Sequence, residues 1–349
     1  SASPSGDTRS RRKPGDPKAP AGATPVGRTS VNAAEPFDSQ APLTSRGDVA
    51  PPAAGLRRQA AAQPTRSGTR ARRGGAARRS FTSTLKTLDE LAASGAQVSV
   101  HVVDLDRGTV VLAGDDHLTL PVAGIGVVPL LIETAVQLDS GALEGLEIVE
   151  RSSVEPVEVA GLWRHLMAPV RDLAVLAAST GDAIAANALL ARVGLDAVRA
   201  RLESIGLART ALMDGFRDRR GLDDAPHVAL SSTSELTSLF AALVNSDVVS
   251  PAVSAQVSEW LSLNTDLSLV ASATGLDPFA HDDDRHQLLF VNKTGRADGV
   301  RAEAGALAGP RAGVAYALTV CFDDLSMAHR LRAHEAFRVL GVELMEYIY

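Results

Sequence analysis

An α+β fold built on one antiparallel five-stranded sheet is what this sequence predicts, on three observations. Alternating apolar residues open the globular part of the chain, in QVSVHVVDLD and TVVLAG around an Asp106-Arg107-Gly108 turn. Helical periodicity then fills a long middle region, roughly residues 125 to 263. Three further strand-like runs follow, RHQLLFVNKTG, GVRAEAGALAG and GVAYALTVCFDD, joined by glycine turns. Strands segregated at the two ends of a helical middle must pair with one another, which makes residues 81–349 one folding unit.

The elements follow in order. STLKTLDELAAS places Leu85, Leu88 and Leu91 at helical spacing. The two alternating runs after it read as a β-hairpin. LPVAGIGVVPLLIE, from Leu120 to Glu133, then starts a strongly apolar helix on Gly124 and Gly126, although glycine is the poorest helix former after proline. No side chain from Pro121 to Ile132 carries a hydroxyl, a thiol or a charge. Gly141, Gly161, Gly194 and Gly206 mark helix ends further on, and Asp196 and Ser232 are read as N-caps. An amphipathic helix from Ser326 to Tyr347 closes the chain, and no internal repeat is visible.

Composition changes at Ser80. Residues 1–80 are rich in Pro, Gly, Ala, Ser and Arg, hold one aromatic, Phe37, and show no apolar periodicity. Such a segment cannot bury enough surface to offset its ordering entropy, so it is read as a disordered tail. It carries 15 Lys+Arg against 5 Asp+Glu, leaving 20 and 36 for the remainder. A basic arm on an acidic body fits contact with a polyanion, an anionic surface or its own domain; the plain alternative is a solubilising leader. Its arginine pairs lack interleaved aromatics, so nucleic-acid contact would be electrostatic rather than specific. Arg46-Gly47-Asp48 is too short a match to carry weight.

Other features exclude further classes. Cys321 is the only cysteine, which rules out an intramolecular disulfide, and its run AYALTVCF reads as a site for a buried inert thiol. The longest apolar run, Val127 to Ile132, is too short to span a bilayer. Neither Arg11 to Lys13 nor Arg78-Arg79 is followed by a signal-peptide core, so the default compartment is cytoplasmic, although a start at Ser1 leaves a removed leader open. His281 to His286, HDDDRH, has metal-ligand residue types without a spacing that fixes geometry and is read as a solvated loop. His165 beside Trp163 reads as packing, and no metal or cofactor is expected.

VPLLIE, GDAIAANALLARVG and NKTG, in that order, resemble the class A β-lactamases and the related serine penicillin-binding and serine-hydrolase domains. LDAVRARLESIGLARTAL and SSTSELTSLFAAL are similar to that family's mid-domain helix pair and to its helix after the omega loop, so the resemblance covers roughly residues 85–349. It implies a β-lactamase/transpeptidase-like fold. It also implies a set of groups: a serine nucleophile at a helix N-terminus with a lysine base one turn later. A Ser-Asp-Asn loop adds a relay hydroxyl and a holding amide, a Lys-Thr/Ser-Gly strand binds the substrate carboxylate, and an omega-loop glutamate activates the deacylating water.

This chain departs from that pattern at several places. Gly124 stands where the serine belongs and Val127 where the lysine belongs. Gly181-Asp182-Ala183 replaces Ser-Asp-Asn. Spacing back from Ser231 puts the glutamate position near Arg217, and neither Asp214 nor Asp218 clearly substitutes. Lys293-Thr294-Gly295 alone is intact. Loss of a nucleophile from a working unit costs on the order of a million-fold in turnover. The resemblance with these losses implies a catalytically inactive relative, a binding or interaction domain. Its cleft, floored by Lys293, Thr294 and Gly295 with Asp182 under the loop, would take a small anionic or peptide-like ligand. The rival is a hydrolase of β-lactam or peptide-like amides using Ser179, Thr180 or Thr294 in a rearranged site. Lys293 is either an anion binder or a structural lysine on helix-end carbonyls; Arg296 and Arg301 either add to a positive cleft or are merely solvated. Gly124 and Gly126 are expected to leave open space where the two side chains would stand. Relatives of this kind are usually exported.

Overall fold

Strands buried on both faces build the centre of the sheet. Strands β1 (Gln97–Asp104), β2 (Thr109–Gly114), β3 (Leu289–Ala297), β4 (Val300–Ala308) and β5 (Gly313–Cys321) lie in the order β2-β1-β5-β4-β3, every neighbour antiparallel. Gln97 lies opposite Cys321 and Asp104 opposite Val314, so the first strand of the body pairs with the last. This computed structural model describes residues 81–157, 163, 167–217, 219–278 and 287–349. The tail with Arg46-Gly47-Asp48, Gly161, His165, Asp218 and the HDDDRH run lie outside the described residues.

Eight α-helices occur among the described residues: α1 (Thr82–Ala93), α2 (Val127–Asp139), α3 (Val170–Ser179), α4 (Ala183–Val193), α5 (Leu195–Ser204), α6 (Thr233–Val244), α7 (Pro251–Ser262) and α8 (Met327–Ile348). The alternation of β4 sorts them into two layers. Ala302, Ala304 and Ala306 join the core made with α2 to α7. Leu307 points the other way, into the core made with α1 and α8, where Tyr316, Leu318 and Val320 of β5 join it. Alanines on the first face leave room for helices to approach closely, while the second face needs bulk to fill the gap under α8. Central to the first core is α2, buried from Val127 to Ala135. Trp163 packs into the same core. No helix among the described residues is long and apolar enough to cross a membrane.

Several local expectations change. In α1 it is Thr84, not Leu85, that is buried; its N–H and hydroxyl both donate to Glu343 of α8, and Leu85 turns outward. Asp196 is not an N-cap: Gly194 occupies that position, and Asp196 sits in the first turn of α5, paired with Arg199. Ser232 and Ser326 do cap α6 and α8, accepting from Glu235 N–H and His329 N–H. The helical middle also contains short pairings that a two- or three-residue run cannot announce. Leu120–Pro121 and Ala211–Leu212 both pair with Ala229–Ser231, and Ile148–Val149 pairs with Ala168–Pro169. Cys321 is only half-buried, yet burial pushes its thiol up to about 11, which keeps it protonated and unreactive.

Candidate functional site

Where α2 begins, the chain makes a tight 3-10 turn, Ala123–Gly126, against β3. Ala123 takes φ 47°, a conformation that a non-glycine residue holds only where its surroundings impose it. The space expected at the two glycines is not open. A Cβ on Gly124 would lie 3.0 Å from the Thr294 carbonyl oxygen, and one on Gly126 would lie 2.6 Å from Ala229 Cβ. These glycines let the turn press against β3 and the short sheet; packing, rather than a ligand, fills the room. Val127, one turn on, is buried in the core.

The strand side is equally close. Gly295 faces the turn so tightly that a Cβ there would meet the Val122 carbonyl oxygen at 2.0 Å. Lys293 is buried, and its Nζ donates to the Ala177 and Ala178 carbonyls at 3.2 and 2.6 Å, at the C-terminal end of α3. A helix C-terminus with unsatisfied carbonyls is a natural seat for a cation. Burial nevertheless pulls this lysine down to about 8, with Asp266 opposing the shift. Gly181 lies under it, at φ 68°, with room for a Cβ 3.8 Å from Nζ.

Asp182 caps α4. Its Oδ1 accepts from Ile184 and Ala185 N–H at 3.0 and 2.9 Å, and its Oδ2 accepts from Trp163 N–H at 2.9 Å. One carboxylate thereby satisfies two orphan helix donors and ties in the segment that carries Trp163. Asp182→Ala is expected to cost about 1–3 kcal/mol, read as a lower urea midpoint; a change below about 0.5 kcal/mol would show that water replaces the cap without loss.

The candidate hydroxyls are all engaged. Ser179 Oγ donates to the Val175 carbonyl, Thr180 Oγ1 to the Leu176 carbonyl, and Thr294 Oγ1 to Asp266 Oδ2 at 2.6 Å. Asp266 is a poor base for that threonine. Burial opposes its charge, but the bonds from Thr294 and Ser268 and the Arg296 guanidinium outweigh burial and hold the carboxyl below the ordinary aspartate value. Arg217, near the expected glutamate position, pairs with Asp214 and Asp224. Arg296 is half-exposed and pairs with Asp266. Arg301 is neither solvated nor part of an open cleft: it is buried, and its Nη1 donates to the Ala297 and Val300 carbonyls. No group of side chains able to hold a metal occurs among the described residues.

Sequence reasoning missed Asp266 and Glu303. The first follows α7 in NTDLS, where the Asp-x-Ser spacing is a turn signal that could have marked it. The second interrupts an alanine-rich strand, VRAEAGALA, and a charge among small apolar residues is itself a sign of a buried partner network. It accepts from Tyr316 Oη, Asn292 Nδ2 and Val270 N–H at 2.7, 2.8 and 2.7 Å.

A five-stranded antiparallel sheet drawn from both chain ends, a helical layer, and a Lys-Thr-Gly edge strand packed on the N-terminus of a buried central helix define the β-lactamase/transpeptidase-like class. The chain belongs to the β-lactamase enzyme family, whose model matches residues 80–348. Among solved structures it is similar to the β-lactamase of Sphaerobacter thermophilus, at TM-score 0.66 and 18% identity over 77% of this chain and 97% of that one. The penicillin-binding protein PBP-A superposes at TM-score 0.61 and 17% identity over 76% and 94%. The chromosome-encoded β-lactamase of Vibrio parahaemolyticus does so at 0.62 and 16% over 76% and 98%. At such identities the likeness carries the fold. No curated protein matches the sequence.

Proposed function

We propose that this domain is a non-catalytic member of the β-lactamase enzyme family, retained as a binding or interaction module. The observation that carries this reading is backbone geometry at two of the missing groups. Gly124 has Thr294 O only 3.0 Å from where its Cβ would be, and Gly181 holds φ 68°, which strains any side chain placed there. Close backbone contact at one position and a positive φ at the other support the reading that side-chain groups are not accommodated there. Lys293, Thr294 and Asp182 support the same reading, since each has a partner within the chain.

Intact mass after incubation with a labelled penicillin tests it. The expected result is an unchanged mass over hours at millimolar ligand. A covalent adduct that disappears in Thr294→Ala would overturn the reading in favour of a hydrolase with a rearranged site.

A further inference from the structure

The N-terminal arm joins the body beside an open groove. The ring of Phe81, the first described residue, stacks on Tyr347 of α8 with centroids 6.1 Å apart. Tyr347 Oη donates to Asp104 Oδ2 at 2.6 Å, and Asp104 Oδ1 accepts from Asp106 N–H at 2.9 Å in the β1–β2 turn. The neighbouring Ile348 carbonyl accepts from Arg311 N–H at 3.0 Å in the β4–β5 turn. Between these two turns and the end of α6 lies a cavity of about 750 Å³. Leu105, Leu289, Phe290 and Pro310 give it an apolar wall, Asp106 and Asp247 give it charge, and none of the described residues lining it is cationic. Both aspartates are exposed, and Leu289, on the edge strand β3, is 38% exposed. Asp106 also fastens the two turns together, its Oδ2 accepting from Gly313 N–H at 3.1 Å.

The segment that leads to Phe81 complements this groove. Residues 57–79 carry eight arginines and neither Asp nor Glu. Arg66, Arg70, Arg72 and Arg73 lie 8 to 15 residues before Phe81, a tether of up to about 25–50 Å when extended. Arginine suits such a surface, because its stem covers apolar groups while its guanidinium meets a carboxylate. Exposed ion pairs are individually weak. A tethered segment, however, acts at an effective concentration on the order of millimolar, so weak contacts suffice within one chain. We propose that the arginines of residues 66–73 dock in cis into the groove between the β1–β2 turn, the β4–β5 turn and the end of α6. The groove lies at the end of β3 away from Thr294 and Gly295, so the proposal is independent of whether that site acylates.

Spin-label distance measurement on the full chain tests it. Nitroxides are placed at Thr69→Cys and at Ser238→Cys, an exposed position on α6, in a Cys321→Ala background. A narrow short-distance peak is expected at low ionic strength, and it should lose most of its amplitude in about 0.5 M sodium chloride. Arg70→Gln, Arg72→Gln and Arg73→Gln together are expected to remove the peak, as is Asp247→Lys alone. Asp89→Lys with Glu90→Lys, at exposed acidic positions on α1, should leave it. The triple arginine variant keeps every residue of the body in place, so loss of the peak there is not loss of the fold. The proposal is overturned if the distribution at low salt is already as broad as at high salt, or if Asp247→Lys has no more effect than the α1 pair. It is overturned as well if a mixture of two singly labelled chains gives the same peak, which would mean that the arginines dock on a second copy.

Discussion

Gly295→Ala is expected to cost about 3–5 kcal/mol, a large share of the roughly 5–15 kcal/mol by which a typical domain is stable. The added methyl would stand 2.0 Å from the Val122 carbonyl oxygen and 3.0 Å from its carbon. Both are backbone atoms, so no rotamer relieves the clash. Either β3 must leave the sheet edge or the 3-10 turn must withdraw from it, and the turn leads directly into the buried start of α2. Gly145→Ala is the control, because the atoms it meets belong to the flexible Arg171 side chain; its cost is expected to stay under about 1 kcal/mol. Urea unfolding of the two variants measures the difference. Equal costs would mean that the contact between turn and strand yields easily.

Stability is expected to pass through a minimum between pH 7 and 8. Two buried groups on β3 and β4 produce it. Burial raises Glu303 from 4.5 to about 7 despite its three hydrogen bonds, and it lowers Lys293 from 10.5 to about 8. A carboxyl raised on folding contributes stability that is complete below the unfolded value and is lost as pH climbs through the folded one. An amine lowered on folding contributes stability that is complete above its unfolded value and is lost as pH falls through the folded one. Each shift is worth on the order of 3 kcal/mol. From pH 5 to 7 the Glu303 contribution fades, and from pH 8 to 10 the Lys293 contribution returns. Urea unfolding across pH 5 to 10 should trace the trough, and Glu303→Gln should flatten its acidic limb. His101, His227 and His334, lowered by burial, and Cys321, raised by it, tilt the two limbs the other way. The Glu303 contribution is therefore read as the difference between the native and Glu303→Gln curves; parallel curves would show that water or a structural shift relieves Glu303.

The sheet was readable in the sequence because its strands are long enough for alternation to show, as in QVSVHVVD and the glycine-bounded runs near the C-terminus. The cap at Ser232 was readable because a hydroxyl one position before an apolar period has few other uses there. The strand pairs near Pro121 and Val149 were not, since their existence depends on which segments the helices bring together. Composition likewise could not say what lies beside Gly124. A glycine signals only that a Cβ is absent; whether a void, a ligand or the Thr294 carbonyl lies opposite is decided by residues far away in the chain. Asp266 escaped for the same reason, because its partners Thr294 and Arg296 come from a strand beyond the intervening loop.

The order β2-β1-β5-β4-β3 places the last strand to be made at the middle of the sheet. On the ribosome, β1 therefore emerges with its β5-facing edge open, and it stays open while α2 to α7, β3 and β4 are made, until Gly313–Cys321 follows. A nascent chain of this kind carries an unpaired β edge on β1 through the whole helical middle, and its yield in a cell should depend on chaperones that shield it.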